Sequence, residues 1–249
     1  MSGMMFQAQD IWKSYSTAPV LRAASISVER GSATVLVGPS GSGKSTLLRT
    51  ASLIDDPDRG TINLDGECHF SGQRKRPSAV AFWPTITVVL QQLFLWPHLT
   101  LRVNICLPAQ LREKSLREVD AICRALGIEE LLDRYPNEVS VGQRQRAAVA
   151  RAVMLQPKYL MLDEITSSLD VEQIERMLAL LESKLEEDVG MIVVTHQLGF
   201  ARSLMRKGTN GKFAFMDAGE IVEQGDVEIF ERPRTKRLED FRRAMVAIS

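Results

Sequence analysis

The sequence predicts an α/β fold with a mainly parallel sheet covered by helices on both faces. Three observations carry this. Short apolar runs at residues 33–37, 159–162 and 191–195 read as strands buried on both sides. Segments of helical apolar spacing separate them, the alternation expected of crossover-connected parallel strands. Each run also leads into polar, chemistry-bearing residues, and ligands of such sheets bind at the carboxyl ends of the strands.

In chain order, residues 26–28 form a short strand and 33–37 a buried one that ends in a glycine-rich loop. Residues 44–52 continue as a helix. Asp56-Pro57-Asp58-Arg59-Gly60 is a turn, and 61–65 alternates as a strand does. Residues 93–139 contain no strand-like run after Leu95. Ser115 and Glu118, three apart ahead of an apolar-periodic segment, predict a capping box, and Gly127 a helix stop. This stretch reads as a small helical insertion. Asp170 caps a long helix with Val171, Ile174, Met177, Leu178 and Leu181 on one face. Residues 213–217 and 220–223 make a hairpin around Ala218-Gly219.

Lysine plus arginine and aspartate plus glutamate each number 31 in 249 residues, so bulk charge attracts neither nucleic acid nor anionic lipid. The basic clusters Arg74-Lys75-Arg76 and Arg232, Arg234, Lys236, Arg237 read as solvated loops. Cys68, Cys106 and Cys123 are odd in number and lack metal-ligand spacing, which argues against a disulfide framework or zinc site and fits a reducing cytosol. The first ten residues do not resemble a signal peptide. No apolar run approaches the roughly 18 residues that span a bilayer.

Gly38-Pro39-Ser40-Gly41-Ser42-Gly43-Lys44-Ser45-Thr46 comes after a strand and opens a helix. It fits the phosphate-binding loop pattern. Glycines let successive N–H groups turn inward as an anion nest, and the helix start adds unpaired donors. Lys44 reaches the outer phosphates, and the Ser45 hydroxyl is placed to ligate Mg²⁺. Residues 159–162 run into Asp163-Glu164. Alone, this pair could be the solvated start of a loop. Beside a phosphate-binding loop, Asp163 becomes a Mg²⁺ ligand and Glu164 a general base or water-orienting group. Residues 191–195 end at His196, either a structural histidine or one that organises the terminal phosphate and Glu164.

Tyr135-Pro136-Asn137-Glu138-Val139-Ser140-Val141-Gly142-Gln143-Arg144-Gln145-Arg146 resembles the signature motif of ABC ATPases. Gln91 looks like the family's Q-loop glutamine, and Trp96-Pro97-His98-Leu99-Thr100 resembles the family's segment just beyond that glutamine. Ser167-Ser168-Leu169-Asp170 looks like the D-loop, His196 matches the switch histidine, and Tyr15 stands where an aromatic residue stacks on adenine. The resemblance runs from about Tyr15 to Gln224. It implies a RecA-like P-loop core with an N-terminal antiparallel β portion. Residues 1–92 and 140–249 would form the ATP-binding core and 93–139 the helical subdomain.

The resemblance also implies ATP and Mg²⁺ as ligands, with Ser45, Gln91 and Asp163 around the metal and Lys44, Glu164 and His196 as the catalytic set. Two domains would meet head to tail, as a homodimer or with a similar subunit. ATP would lie between one phosphate-binding loop and the partner's Ser140, Gly142 and Gln143. The helical surface would receive a helix of an integral membrane permease. The chain would then sit at the cytoplasmic face of the inner membrane. Residues 53–62 and 216–225 resemble subunits of polar amino acid importers, which also use an extracytoplasmic solute-binding protein.

Two departures stand out. Val141 replaces a glycine of the signature, adding a β-branched side chain and excluding a glycine-only backbone angle. Ile165 stands where the family often has proline. Alternatives are an export or non-transport ABC ATPase, and a binding partner that hydrolyses weakly because of Val141. Nucleic-acid work is disfavoured by the neutral charge.

Overall fold

The computed structural model describes residues 4–16, 18–72, 82–207 and 211–248. The basic cluster Arg74-Lys75-Arg76 lies outside them.

Two sheets are present. Strands β1 (Met5–Tyr15), β2 (Ala18–Glu29), β4 (Arg59–Leu64) and β5 (Glu67–Ser71) form an antiparallel sheet in the order β2-β1-β4-β5. The larger sheet contains β3 (Ala33–Val37), β6 (Ile86–Val89), β7 (Tyr159–Asp163), β8 (Gly190–Val194), β9 (Lys212–Asp217) and β10 (Glu220–Gly225), ordered β10-β9-β3-β8-β7-β6. Its strands run parallel except β10, which returns antiparallel to β9. All the parallel strands therefore end on one edge.

Each central strand serves two cores. Leu160, Leu162, Met191 and Val193 point into a cluster with helices α2 (Leu101–Leu111), α3 (Val119–Ala125), α4 (Val141–Met154) and α5 (Val171–Glu186). Tyr159, Met161, Ile192 and Val194 point the other way, towards helix α1 (Lys44–Ala51) and the antiparallel sheet. This division explains why β7 and β8 are continuously apolar: neither face meets water. A third cluster joins Val35, Val37, Phe213 and Phe215 to α6 (Leu198–Lys207) and α8 (Lys236–Ile248), beyond a short α7 (Glu228–Glu231).

Most local expectations hold. The Asp170 side chain accepts from the Gln173 N–H at 2.9 Å, capping α5. Gly127 adopts φ 59° two residues after α3 ends. Ala218 and Gly219, both at positive φ, turn β9 into β10. Residues 93–139 hold helices and 3₁₀ turns and no strand.

Two expectations fail. Val171, expected on the apolar face of α5, is 75% exposed ahead of the residues that face the core. Ser115 does not cap α3. Its hydroxyl accepts from the Arg117 N–H at 3.3 Å, a local bond that ends before the helix begins. A capping box occurs instead at Ser140/Gln143, and at Tyr135 the Glu138 carboxylate accepts from the Tyr135 N–H at 2.8 Å. The first hairpin is also far longer than residues 26–28, and β5, β6 and the C-terminal helices are additions that the apolar pattern did not show.

Candidate active site

The site lies at the carboxyl edge of β3, β7 and β8. From β3 the chain enters the phosphate-binding loop. Gly38 is fully buried against β9: a Cβ there would sit 2.0 Å from the Met216 carbonyl oxygen, so only glycine fits. The β9–β10 turn closes on the loop as well, with the Gly219 N–H donating to the Ser42 carbonyl at 3.0 Å. The next residues of the loop, Pro39, Ser40 and Gly41, are exposed, as is Ser45; Gly43 and Thr46 are half-buried.

Lys44 is buried, and its ammonium donates to the Gly38 and Pro39 carbonyls at 2.8 Å each. Burial lowers its pKa, while the carboxylates of Glu164 and Asp163 oppose the shift. The lysine thus spans the loop. Ser42 is buried too, and its hydroxyl has no partner.

Asp163 ends β7, 2% exposed. Burial raises its pKa; hydrogen bonding from Ser45 and the charges of Lys44 and His196 pull it back. One of its oxygens, Oδ1, is buried without a hydrogen-bond partner among the described residues. A carboxylate oxygen left so costs about 1–3 kcal/mol. A hydroxyl from Ser45 and an orphaned carboxylate oxygen beside a glycine-rich loop are the hard oxygen donors that would fit a divalent cation.

Glu164 is next, in the left-handed region at φ 55°. Its N–H still reaches β8, donating to the Val194 carbonyl at 3.0 Å. Burial first, and the Asp163 charge second, push its pKa up to about 7, with Lys44 and His196 opposing. His196, exposed beyond β8, places Nε2 2.8 Å from Glu164 Oε1. Burial and Lys44 lower the histidine's pKa, against the pull of Asp163. A carboxylate whose pKa is pushed up to about 7, beside an imidazole whose pKa is lowered, is suited to taking a proton from water.

Tyr15 ends β1 with its ring about half exposed at 47%. Its hydroxyl donates to Asp55 Oδ2 at 2.6 Å, and Asp55 is gripped by Arg49 of α1 at 2.8 and 2.9 Å. Arg49 first among its causes holds the Asp55 carboxyl at about 2. The Lys13 ammonium stands 5.4 Å from the ring centroid. Gln91, two residues past β6, is exposed, and β6 pairs with β7.

Of the signature segment, Gln145 reaches this edge through the Glu164 carbonyl, whereas Ser140, Val141 and Gly142 stand at the start of α4. Ser140 caps α4, its hydroxyl accepting from the Gln143 N–H at 3.2 Å while Gln143 Oε1 accepts from Ser140 N–H at 2.8 Å. Gly142 is packed so closely that a Cβ would lie 2.6 Å from the Ser168 carbonyl oxygen. Val141 is the first residue of α4, 51% exposed, and has no positive φ. The position therefore asks for no glycine angle, and the valine stands outward. Ile165 is buried in the main core at 1% exposure, so a bulky residue is accommodated where the resemblance favoured proline.

Sequence reading missed the residues that brace the site from elsewhere. Gln145 donates to the Glu164 carbonyl, Asp55 holds Tyr15, and Arg151 donates to the Leu93 and Phe94 carbonyls at 2.7 and 2.9 Å. None of these lies in a strand-to-loop junction.

The fold and this edge together define a P-loop nucleoside triphosphatase. Residues 21–167 match the ABC transporter family, and the chain belongs to it: it is an ABC-type ATPase whose hydrolysis of ATP energises transport. Over 247 residues it is 36% identical to the arginine transport ATP-binding protein ArtP of Escherichia coli K12, covering 96% of this chain and 99% of that one. It is 34% identical to the arginine transport ATP-binding protein ArtM of Bacillus subtilis, covering 95% and 98%. The glutamine transport ATP-binding protein GlnQ of Escherichia coli is 32% identical, with 95% and 98% covered. Among solved structures, the dimeric post-hydrolysis state of the ATP-binding cassette MJ0796 with ADP and Pi superposes with a TM-score of 0.76 at 27% identity, covering 89% and 98%.

Proposed function

We propose that this chain is the ATP-hydrolysing subunit of an importer for polar amino acids. What carries the import reading is the near-full-length identity to arginine and glutamine transport ATP-binding proteins. The chemistry is carried by Glu164 and His196, held at 2.8 Å on the strand edge.

Ser45 and Asp163, with Gln91, would hold Mg²⁺, which would supply charge neutralisation at the outer phosphates. Lys44 exchanges its carbonyl partners for phosphate oxygens. Glu164, as carboxylate, accepts the proton of the attacking water, and His196 holds that carboxylate in line. Tyr15 offers its ring to the base. Gly38 to Thr46 close on the phosphates of one chain. Ser140, Gly142 and Gln143 of a second copy, at the start of α4, bring a hydroxyl and helix N–H groups to the far side. The active unit is a head-to-tail pair, and a hydrolysed pair separates.

The permease docks on a cavity of about 580 Å³ lined by Trp83, Phe94, Trp96, Leu111 and Arg151. Phe94 and Leu111 are 57% and 71% exposed, and the Arg112 guanidinium sits 4.4 Å over the Trp83 ring. An apolar floor of this kind suits an amphipathic helix. Among the described residues no helix is long and apolar enough to cross a membrane, so the solute path belongs to the permease. The complex works at the cytoplasmic face of the inner membrane with an extracytoplasmic solute-binding protein.

The test is uptake of labelled arginine, glutamine and glutamate into vesicles holding the chain with its permease. ATP-dependent uptake that Glu164→Gln abolishes supports the reading. ATP turnover coupled to efflux, or to none of these solutes, sinks the importer assignment.

A further inference from the structure

We infer that Gln145 is a positioning residue for Glu164: from the signature helix it holds the Glu164 peptide in the left-handed conformation that aims the carboxylate. The inference rests on the reading of Glu164 as the base.

Gln145 lies one turn into α4 and is 3% exposed. Its Nε2 donates to the Glu164 carbonyl oxygen at 2.8 Å and to Ser167 Oγ at 3.3 Å. Ser167 Oγ donates in turn to the same carbonyl at 3.1 Å. The Glu164 N–H is fixed on β8 through Val194. Both peptide groups of this residue are thus pinned, and φ is 55°, a region that a β-methylene residue avoids unless its surroundings impose it. Released, the residue would relax and swing its carboxylate.

The cost of keeping a glutamine here is visible. Gln145 Oε1 is buried without a partner among the described residues. An apolar side chain of the same length would remove that orphan, and the Glu164 carbonyl would still keep Ser167. Stability alone therefore does not call for an amide at this position. Its N–H donors do what an apolar isostere cannot. They also make α4 one rigid connection between Ser140 at its start, which faces the other copy's ATP, and the base that serves the chain's own. The charged groups facing Glu164 are Lys44 from α1, Asp163 on β7 and His196 beyond β8; α4 contributes the neutral Gln145.

The experiment measures Mg·ATP turnover by the full chain from pH 5.5 to 9, with ATP affinity and Tm, for wild type, Gln145→Met, Gln145→Glu and Glu164→Gln. Gln145→Met is expected to lose kcat on the order of 10- to 100-fold, as for a misaimed reacting group. KM stays within about threefold, because the phosphate loop is untouched. Tm and ATP affinity are retained. Gln145→Glu, whose buried neutral acid can still donate one O–H to the Glu164 carbonyl, keeps more turnover than Gln145→Met. Unchanged kcat in folded Gln145→Met would overturn the inference. So would a fall in kcat that tracks a fall in Tm, or one matched by an equal loss of ATP affinity. Turnover retained by Glu164→Gln would instead remove the underlying assignment of the base.

Discussion

The catalytic edge and the signature end of α4 are built on opposite principles. At the edge, Lys44, Asp163 and Glu164 are at most 7% exposed and bonded into neighbouring strands and loops. At the signature, Ser140 and Val141 are exposed, and Ser140 bonds within the helix's own cap. Burial shifts the pKa values of Lys44, Asp163 and Glu164, whereas in the proposed head-to-tail pair exposure would let the signature meet a phosphate carried by the other subunit.

The comparison can be broken by mutation, beginning with the largest effect. Lys44→Ala should lower turnover on the order of 100-fold or more and weaken ATP binding, since it deletes the charge-assisted bonds to the outer phosphates. Equilibrium nucleotide binding and steady-state hydrolysis check this together. Next comes pH. Glu164 must be ionised to accept a proton, and its pKa is pushed up to about 7. Turnover should therefore rise with pH through about 7 and fall about tenfold per unit below it. A midpoint near an ordinary glutamate would show that the buried environment is absent in the working enzyme.

Tyr15→Ala should raise KM for ATP about tenfold with kcat nearly unchanged, as base stacking on an aromatic ring is worth about 1–3 kcal/mol. Asp55→Asn, which loosens the ring's anchor without removing it, should do less. The smallest effects separate the two glycine positions of the signature. Gly142→Ala forces a Cβ to 2.6 Å from the Ser168 carbonyl and should cost about 1–3 kcal/mol by thermal unfolding. Val141→Gly should change turnover by less than about threefold and cost at most about 1 kcal/mol, because the side chain points out from the first helical turn.

The same contrast explains what could be read before the structure. Residues 38–46, 159–164 and 191–196 were legible because each is one contiguous strand-to-loop unit, with its chemistry at a fixed offset from an apolar run. The long hairpin of β1 and β2 was not, because Asp10 and Ala23 sit at positive φ and the register shifts between Ala8 and Ile11. Those bulges break the alternation of period two on which strand reading depends. The expected Ser115 capping box had the right residues at the right spacing, but the chain around Ser115 bonds locally and α3 starts later. Gln145 and Asp55 were hidden for a different reason: their roles arise from contacts across 19 and 40 positions, which no local pattern encodes.

The most direct test mixes two inactive variants, Lys44→Ala and Ser140→Arg, and tracks ATP hydrolysis against the mixing ratio. The arrangement of half-sites predicts recovery of turnover with a maximum near equal amounts, since each mixed pair has one intact phosphate loop facing one intact signature. A mixture as inactive as its components at every ratio, or full turnover by Ser140→Arg alone, would contradict it.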